Sequence, residues 1–330
     1  MTATITSIAH YVPPDIYDNK FFESYLDTND DWIVSRTGIR ERHILKEGGT
    51  SDLIVPAAKK CLEQRGITSK DIDLILVTTI SPDHLFPSTA ALVHERLGCD
   101  NTTWGFDLSG ACSGFIYGIV TALQFIESGQ FKRILLCGSD KMSSIANYQD
   151  RNTCILFGDA AGVCIIEKSD DPELGIQDHL LRMDGKGKDL LYLRAGGSRY
   201  PTTIETVQNG DHFLYQDGQA VFKVAVKGMA DISVEIMQKN DIKPSELNWF
   251  VPHQANMRII KSTADRMGID KEQVMINIDK YGNTTSATIP MCISEWYQAG
   301  KIKKGDKIIL SSFGAGYTWG AVYLRWNMNK

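Results

Sequence analysis

"FIESGQFKRILLCGSD" (125–140) and "WYQAGKIKKGDKIILSSFG" (296–314) carry one pattern twice: a helix end, a glycine, a basic turn, then an apolar strand. A second pair precedes them. "SKDIDLILVTT" (69–79) resembles "PSELNWFVPHQ" (244–254), each with an acidic residue, an apolar residue, Asp or Asn, and then a strand. Two similar α/β halves in one chain are the reading. We place them at about 1–170 and 171–330, packed as one compact unit. Matching Gly129 with Gly300 gives an offset of 171, which carries Cys112 onto Asn283 in "YGNTTSATIP" (281–290).

The rest of the chain agrees with an α/β class. Strand-like runs stand at 71–80, 133–140, 162–167, 248–253 and 307–314. Helical periodicity runs through 90–98, 113–129, 222–240 and 256–268. The segment "DGKGKDLLYLRAGGSRYPTT" (184–203) reads as a connector between the halves. With 330 residues, 43% hydrophobic and 23% charged, the composition is that of an ordinary globular protein. A net charge of −5 speaks against a general nucleic-acid binder. The N-terminal "MTATITSIAHYVPP" has no basic region followed by an apolar core, and no apolar run is long enough to span a bilayer. Seven cysteines, with no C-x-x-C pair, predict a reduced cytoplasmic protein without a metal site.

Three segments carry chemistry: "SGACSG" (109–114), "VPHQAN" (251–256) and "YGNTTSA" (281–287). Cys112 stands at the head of an apolar helix, where the partial positive charge of the N-terminus is expected to favour its thiolate. His253 follows a strand, at the end where α/β folds hold ligands. Cys, His and Asn fit two chemistries. In a hydrolase, His deprotonates Cys and Asn orients His. In a carbon–carbon condensing enzyme, Cys carries an acyl group while His and Asn hydrogen-bond a thioester carbonyl. The small apolar surroundings of Cys112 suit a dry thioester better than a hydrolytic water.

End to end, the chain resembles the thiolase-superfamily condensing enzymes, and among them the 3-oxoacyl-[acyl carrier protein] synthase III family. The resemblance rests on "DDWIVSRTGIRERHI" (30–44), "FPSTAA" (86–91), "SGACSGF" (109–115), "DRNTCILFGDAAG" (150–162), "VFKVAV" (221–226), "VPHQANMRII" (251–260), "YGNTTSATIP" and "SSFGAGYTWG" (311–320). It implies a thiolase-like fold of two halves in αβαβα layers and a homodimer. It also implies initiation of type II fatty acid synthesis by condensing acyl-CoA with malonyl-acyl carrier protein, with no cofactor. Cys112 would be acylated, the Cys112 and Ala315 amides would form an oxyanion hole, and His253 and Asn283 would stabilise the enolate, His253 through a proton on Nε2. Thr28, Trp32, Arg36, Arg151, Gly218, Phe222, Ala255 and Asn256 would contact coenzyme A. Phe86 would close the acyl pocket of the dimer partner. Lys223, Arg258, Lys261 and Arg266, with Lys227 nearby, would dock the acidic carrier protein. Asp265 interrupts that patch, and Gly110, Ala160 and Gln216 are departures from the family pattern that remove no catalytic group. A relative serving secondary metabolism is the neighbouring alternative. A cysteine amidase or protease, or a non-catalytic acyl-CoA binder, fits the motifs less well.

Overall fold

In a computed structural model, which describes residues 2–329, nine strands form two main sheets. The first sheet contains β1 (Ala3–Tyr11), β2 (Leu74–Thr78), β3 (Trp104–Leu108), β4 (Arg133–Lys141) and β5 (Asp159–Lys168), in the order β1-β5-β4-β2-β3. The second contains β6 (Gly175–Met183), β7 (Trp249–Pro252), β8 (Lys307–Gly314) and β9 (Thr318–Arg325), in the order β7-β8-β9-β6. The pairings repeat: β2 is parallel to β4 as β7 is to β8, and each series continues with two antiparallel partners.

Side-chain alternation builds the layers. Leu74, Leu76, Ile134 and Leu136 of the first sheet face a central core that they share with Ile308, Leu310, Val322 and Leu324 of the second. Two helices fill that core, α4 (Gly114–Glu127) and α7 (Thr288–Gln298). Ile75, Val77, Leu135 and Cys137 point the other way, onto α2 (Thr50–Arg65) and α3 (Thr89–Leu97). Phe250 and Ile309 likewise point outward, onto α5 (Gly218–Lys239) and α6 (Met257–Met267). A period of two per strand therefore yields five layers, αβαβα, as the thiolase fold requires. The remaining long helix near the site is α1 (Asp30–Thr37).

Several details differ from the sequence reading. Residues 184–203 do not join the halves; they follow β6 of the second sheet. The short antiparallel pair Leu191–Leu193 and Leu214–Gln216 lies in the same excursion and walls the cavity described below. The repeat offset also changes along its length. Helix α7 has 11 residues where α4 has 14, so the turns that start them lie 174 apart, at the left-handed residues Ala111 (φ +46°) and Thr285 (φ +49°). Cys112 thus corresponds to Ser286, three residues beyond Asn283. The sequence reading also misses β1, β3 and β6, whose runs are broken by polar residues, as well as β9, and α2, which carries Pro56 inside it. No helix among the described residues is long and apolar enough to cross a membrane.

The turn at Thr285 and helix α4 both press on β4 at close range. A Cβ added to Gly138 of β4 would lie 2.5 Å from the Ser286 carbonyl oxygen and 3.1 Å from the Phe115 ring. Backbone cannot yield as a flexible side chain does. Gly138→Ala is therefore expected to fold with a loss of about 1–3 kcal/mol, read from a urea midpoint. An unchanged midpoint would show that this contact gives way freely.

Candidate active site

Cys112 lies in a single 3-10 turn, Ala111–Ser113, between β3 and α4. Its carbonyl accepts a hydrogen bond from the Ser312 hydroxyl of β8 at 2.7 Å, so the second sheet holds the turn of the first. Gly314 is the next constraint: a Cβ there would fall 2.9 Å from the Cys112 amide nitrogen and 3.0 Å from that of Ser113. Glycine keeps the space in front of these amides open. Ala315 follows in the β8–β9 turn and lines the same cavity.

His253 continues β7, its amide donating to the Ser311 carbonyl of β8 at 2.8 Å. The ring is buried, with Nδ1 2.7 Å from the Thr288 hydroxyl and Nε2 without a partner among the described residues. Asn283 enters through backbone pairing with the 156–158 segment. Its amide donates to the Leu156 carbonyl at 2.8 Å, and its own carbonyl accepts from the Gly158 amide at 3.2 Å. The side-chain Oδ1 accepts from the Thr285 amide at 2.9 Å, leaving Nδ2 as a donor without a hydrogen-bond partner among the described residues.

Behind this group stands Asp140, fully buried at the end of β4. Its Oδ1 accepts from the Thr79 hydroxyl (3.0 Å), the Ile80 amide (2.8 Å), and the amide and hydroxyl of Ser81. Its Oδ2 accepts from the Thr285 and Ser286 hydroxyls. One carboxylate thus fixes the turn that orients Asn283. Asp140, Thr285, Thr288 and Ser312 escape the sequence reading, because a Ser, Thr or Asp near a strand or helix end looks like ordinary capping.

Burial sets the electrostatics. It pushes the Cys112 thiol up to about 12, with the Asp140 carboxylate adding to the rise and the residue's own amide opposing it. Burial thus opposes the thiolate expected at the helix N-terminus and favours the neutral thiol. Burial also lowers His253 to about 3, so its ring is neutral across the working range.

A cavity of about 1210 Å³ joins these groups. Cys112, His253, Asn283, Ala315, Trp32, Arg36, Gly218, Phe222, Ala255, Asn256 and Arg258 all line it. Trp32, on α1, carries the Arg36 guanidinium 4.4 Å and the Arg151 guanidinium 5.1 Å from its ring centre. Arg151 lies beside the lining and donates to the Asp27 carbonyl. Thr28 is also outside the lining, its hydroxyl buried without a partner among the described residues. The Asn256 side chain is already engaged, capping α6 through Arg258 N and donating to the Arg36 carbonyl at 2.9 Å. A Cβ on Gly218 would meet only Gln216, at 3.9 Å, so the protein itself does not demand glycine there.

Outside the cavity, Phe86 is 86% exposed beside Leu85 at 83%; within a single chain it does not reach the pocket. Lys223, Lys227, Lys261 and Arg266 lie on α5 and α6. Arg266 lies 3.6 Å from Asp231, whereas the Arg258 guanidinium sits 4.7 Å from the Phe222 ring centre at the cavity wall. No cluster of His, Cys, Asp or Glu among the described residues could hold a metal ion.

A thiol raised this far reacts in proportion to its small thiolate fraction. Alkylation of Cys112 by iodoacetamide in the free protein should rise about tenfold per pH unit between about pH 7 and 9. Peptide mass spectrometry measures it, and a plateau in that window would mean that the helix terminus outweighs burial.

The family model described as "3-Oxoacyl-[acyl-carrier-protein (ACP)] synthase III" matches residues 106–185, and its C-terminal counterpart matches 237–326. The chain is 52% identical to a β-ketoacyl-[acyl-carrier-protein] synthase III of Chlorobaculum tepidum, covering 99% of this chain and 100% of the relative. It superposes on the crystal structure of the 3-oxoacyl-[acyl-carrier-protein] synthase III of Aquifex aeolicus with a TM-score of 0.90 at 38% identity, covering 98% of this chain and 100% of that one. For the Pseudomonas aeruginosa enzyme the TM-score is 0.91 at 35% identity, with both chains fully covered. With two family models and a full-length relative converging on these same turns, the chain belongs to the 3-oxoacyl-[acyl carrier protein] synthase III family of condensing enzymes.

Proposed function

We propose that this acyltransferase starts fatty acid chains by passing an acyl group from coenzyme A to Cys112 and then onto a malonyl unit carried by acyl carrier protein. The observation that carries the reading is the meeting of a buried thiol, an unpartnered imidazole nitrogen and a free carboxamide donor in one cavity.

In the first half-reaction the Cys112 sulfur attacks the acyl-CoA carbonyl. The developing oxyanion lies against the Cys112 and Ala315 amides, each donor worth on the order of 3 kcal/mol. Collapse breaks the bond to the CoA sulfur, which leaves as the thiol with the proton that Cys112 gave up. The cavity wall supplies cationic and aromatic groups for the CoA end. Trp32, Arg36 and Arg151 form that cluster, with Thr28 adjacent, and Gly218, Phe222, Ala255 and Asn256 line the pantetheine path.

The malonyl thioester then takes the vacated arm. His253 Nε2–H and Asn283 Nδ2–H donate to its carbonyl, stabilising the enolate as carbon dioxide leaves. The enolate carbon attacks acyl-Cys112, forming the carbon–carbon bond and breaking the thioester. The departing Cys112 sulfur takes a proton from solvent, balancing the carboxylate charge lost with carbon dioxide, and returns to the thiol that burial favours. Neutral His253 suits this role, because a buried imidazolium would cost more than the hydrogen bond gains.

We further propose that Lys223, Arg258, Lys261 and Arg266 receive the carrier protein, that the chain works in the cytoplasm as a homodimer with Phe86 crossing to the partner, and that the repeat divides near residue 170. Exposure of Phe86 supports its crossing to a partner, and the basic groups along α5 and α6 support docking of the acidic carrier protein. No metal or cofactor enters the scheme.

Separating the half-reactions tests the assignment. Cys112→Ala should lose transfer from acyl-CoA yet retain decarboxylation of malonyl-acyl carrier protein. His253→Ala and Asn283→Ala should retain acylation and lose decarboxylation by about a hundredfold or more. Release of labelled carbon dioxide reads one step and acyl-protein mass the other. Loss of both steps in all three variants would sink the division of labour.

A further inference from the structure

The buried imidazole of His253 has one side-chain partner among the described residues, the Thr288 hydroxyl, 2.7 Å from Nδ1. That hydroxyl stands at the first residue of α7 and also lies 3.0 Å from the Thr285 carbonyl. It owns one proton and can give it to one of the two. The choice fixes the ring, since a neutral imidazole carries its hydrogen on one nitrogen only. If Thr288 donates to Thr285, Nδ1 must donate to Thr288 and Nε2 is bare. If Thr288 donates to Nδ1, Nε2 keeps the hydrogen.

Two observations decide between them. The Thr285 carbonyl is already satisfied by the backbone N–H of Thr288, so it does not need the hydroxyl. Nδ1 has no other donor among the described residues, and the hydroxyl is nearer to it than to the carbonyl. We infer that Thr288 is a positioning residue which donates to Nδ1 and thereby holds the hydrogen of His253 on Nε2, facing the substrate carbonyl. Thr285 links this device to Asn283. Its amide holds the Asn283 Oδ1, its hydroxyl rests on Asp140, and its carbonyl receives the Thr288 amide. One residue therefore aligns both donors, the carboxamide directly and the imidazole through Thr288.

The inference rests on the carbonyl-donor role proposed for His253, and its test separates the two. Nitrogen-15 spectra of histidine-labelled protein, with the His253 signals identified by their loss in His253→Gln, read the tautomer without any turnover. The expected result is a hydrogen on Nε2 in the wild type and in Thr288→Ser. Thr288→Val, which keeps the shape and loses the hydroxyl, should show a mixture of tautomers. Its decarboxylation of malonyl-acyl carrier protein should fall at least about tenfold, the direction of the loss seen when a catalytic histidine is left in the wrong tautomer. Thr288→Ser should restore the rate, and acyl transfer to Cys112 should not share the loss. A wild-type ring with its hydrogen on Nδ1 would overturn the inference, as would undiminished decarboxylation in Thr288→Val. A wild-type Nε2–H with no decarboxylation by the wild type would instead overturn the role of His253 and leave the tautomer assignment standing.

Discussion

The carboxylate of Asp140 is buried where the two sheets' turns meet, and it accepts hydrogen bonds from both. On one side it takes the Thr79, Ile80 and Ser81 donors that follow β2; on the other it takes Thr285 and Ser286 at the start of α7. A buried carboxylate is costly unless its lone pairs are filled, and here they are filled by groups from distant parts of the chain. The orientation of Asn283 follows from this, because Thr285 cannot both serve Asp140 and release Asn283 Oδ1. So does the left-handed backbone at Thr285, whose strain the surrounding bonds must hold in place.

Dryness is the second constraint, and it acts on the nucleophile and the imidazole in opposite senses. It raises the thiol and lowers the histidine, so both reacting groups rest uncharged. In the proposed scheme each half-reaction then begins and ends with Cys112 and His253 neutral, and the charge that develops on the substrate oxygen faces backbone or side-chain donors. A hydrolytic enzyme would want the reverse, a thiolate–imidazolium pair open to water. The αβαβα packing is what produces the dryness, because α4 and α7 place both turns in the layer shared by the two sheets.

Much of this was legible in the chain. The doubled helix–glycine–strand pattern announced two related sheets, and the Cys, His and Asn segments fall on one cavity because each follows a strand or opens a helix at the same end of its sheet. The register of the repeat was not legible, since α7 is three residues shorter than α4 and its following turn absorbs the difference. Edge and outer strands such as β1 and β6 were hidden by Thr, Ser, Asp and His at positions that a pattern reader counts as polar. The thiol's state escapes the sequence for a different reason. A helix terminus is visible in sequence, whereas the depth of burial that opposes it depends on residues such as Ser312 and Gly314, contributed from about two hundred positions away. Asp140, Thr285 and Thr288 carry no signature of their own, and only their convergence gives them meaning.

The proposed scheme begins with direct acylation of Cys112 by coenzyme A thioesters. Intact-protein mass spectrometry after incubation with a panel of acyl-CoAs, with no malonyl-acyl carrier protein present, tests it most directly. The expected result is a stable gain of one acyl group with at least one thioester, absent in Cys112→Ala. No gain with any acyl-CoA, or a gain that persists in Cys112→Ala, would contradict it.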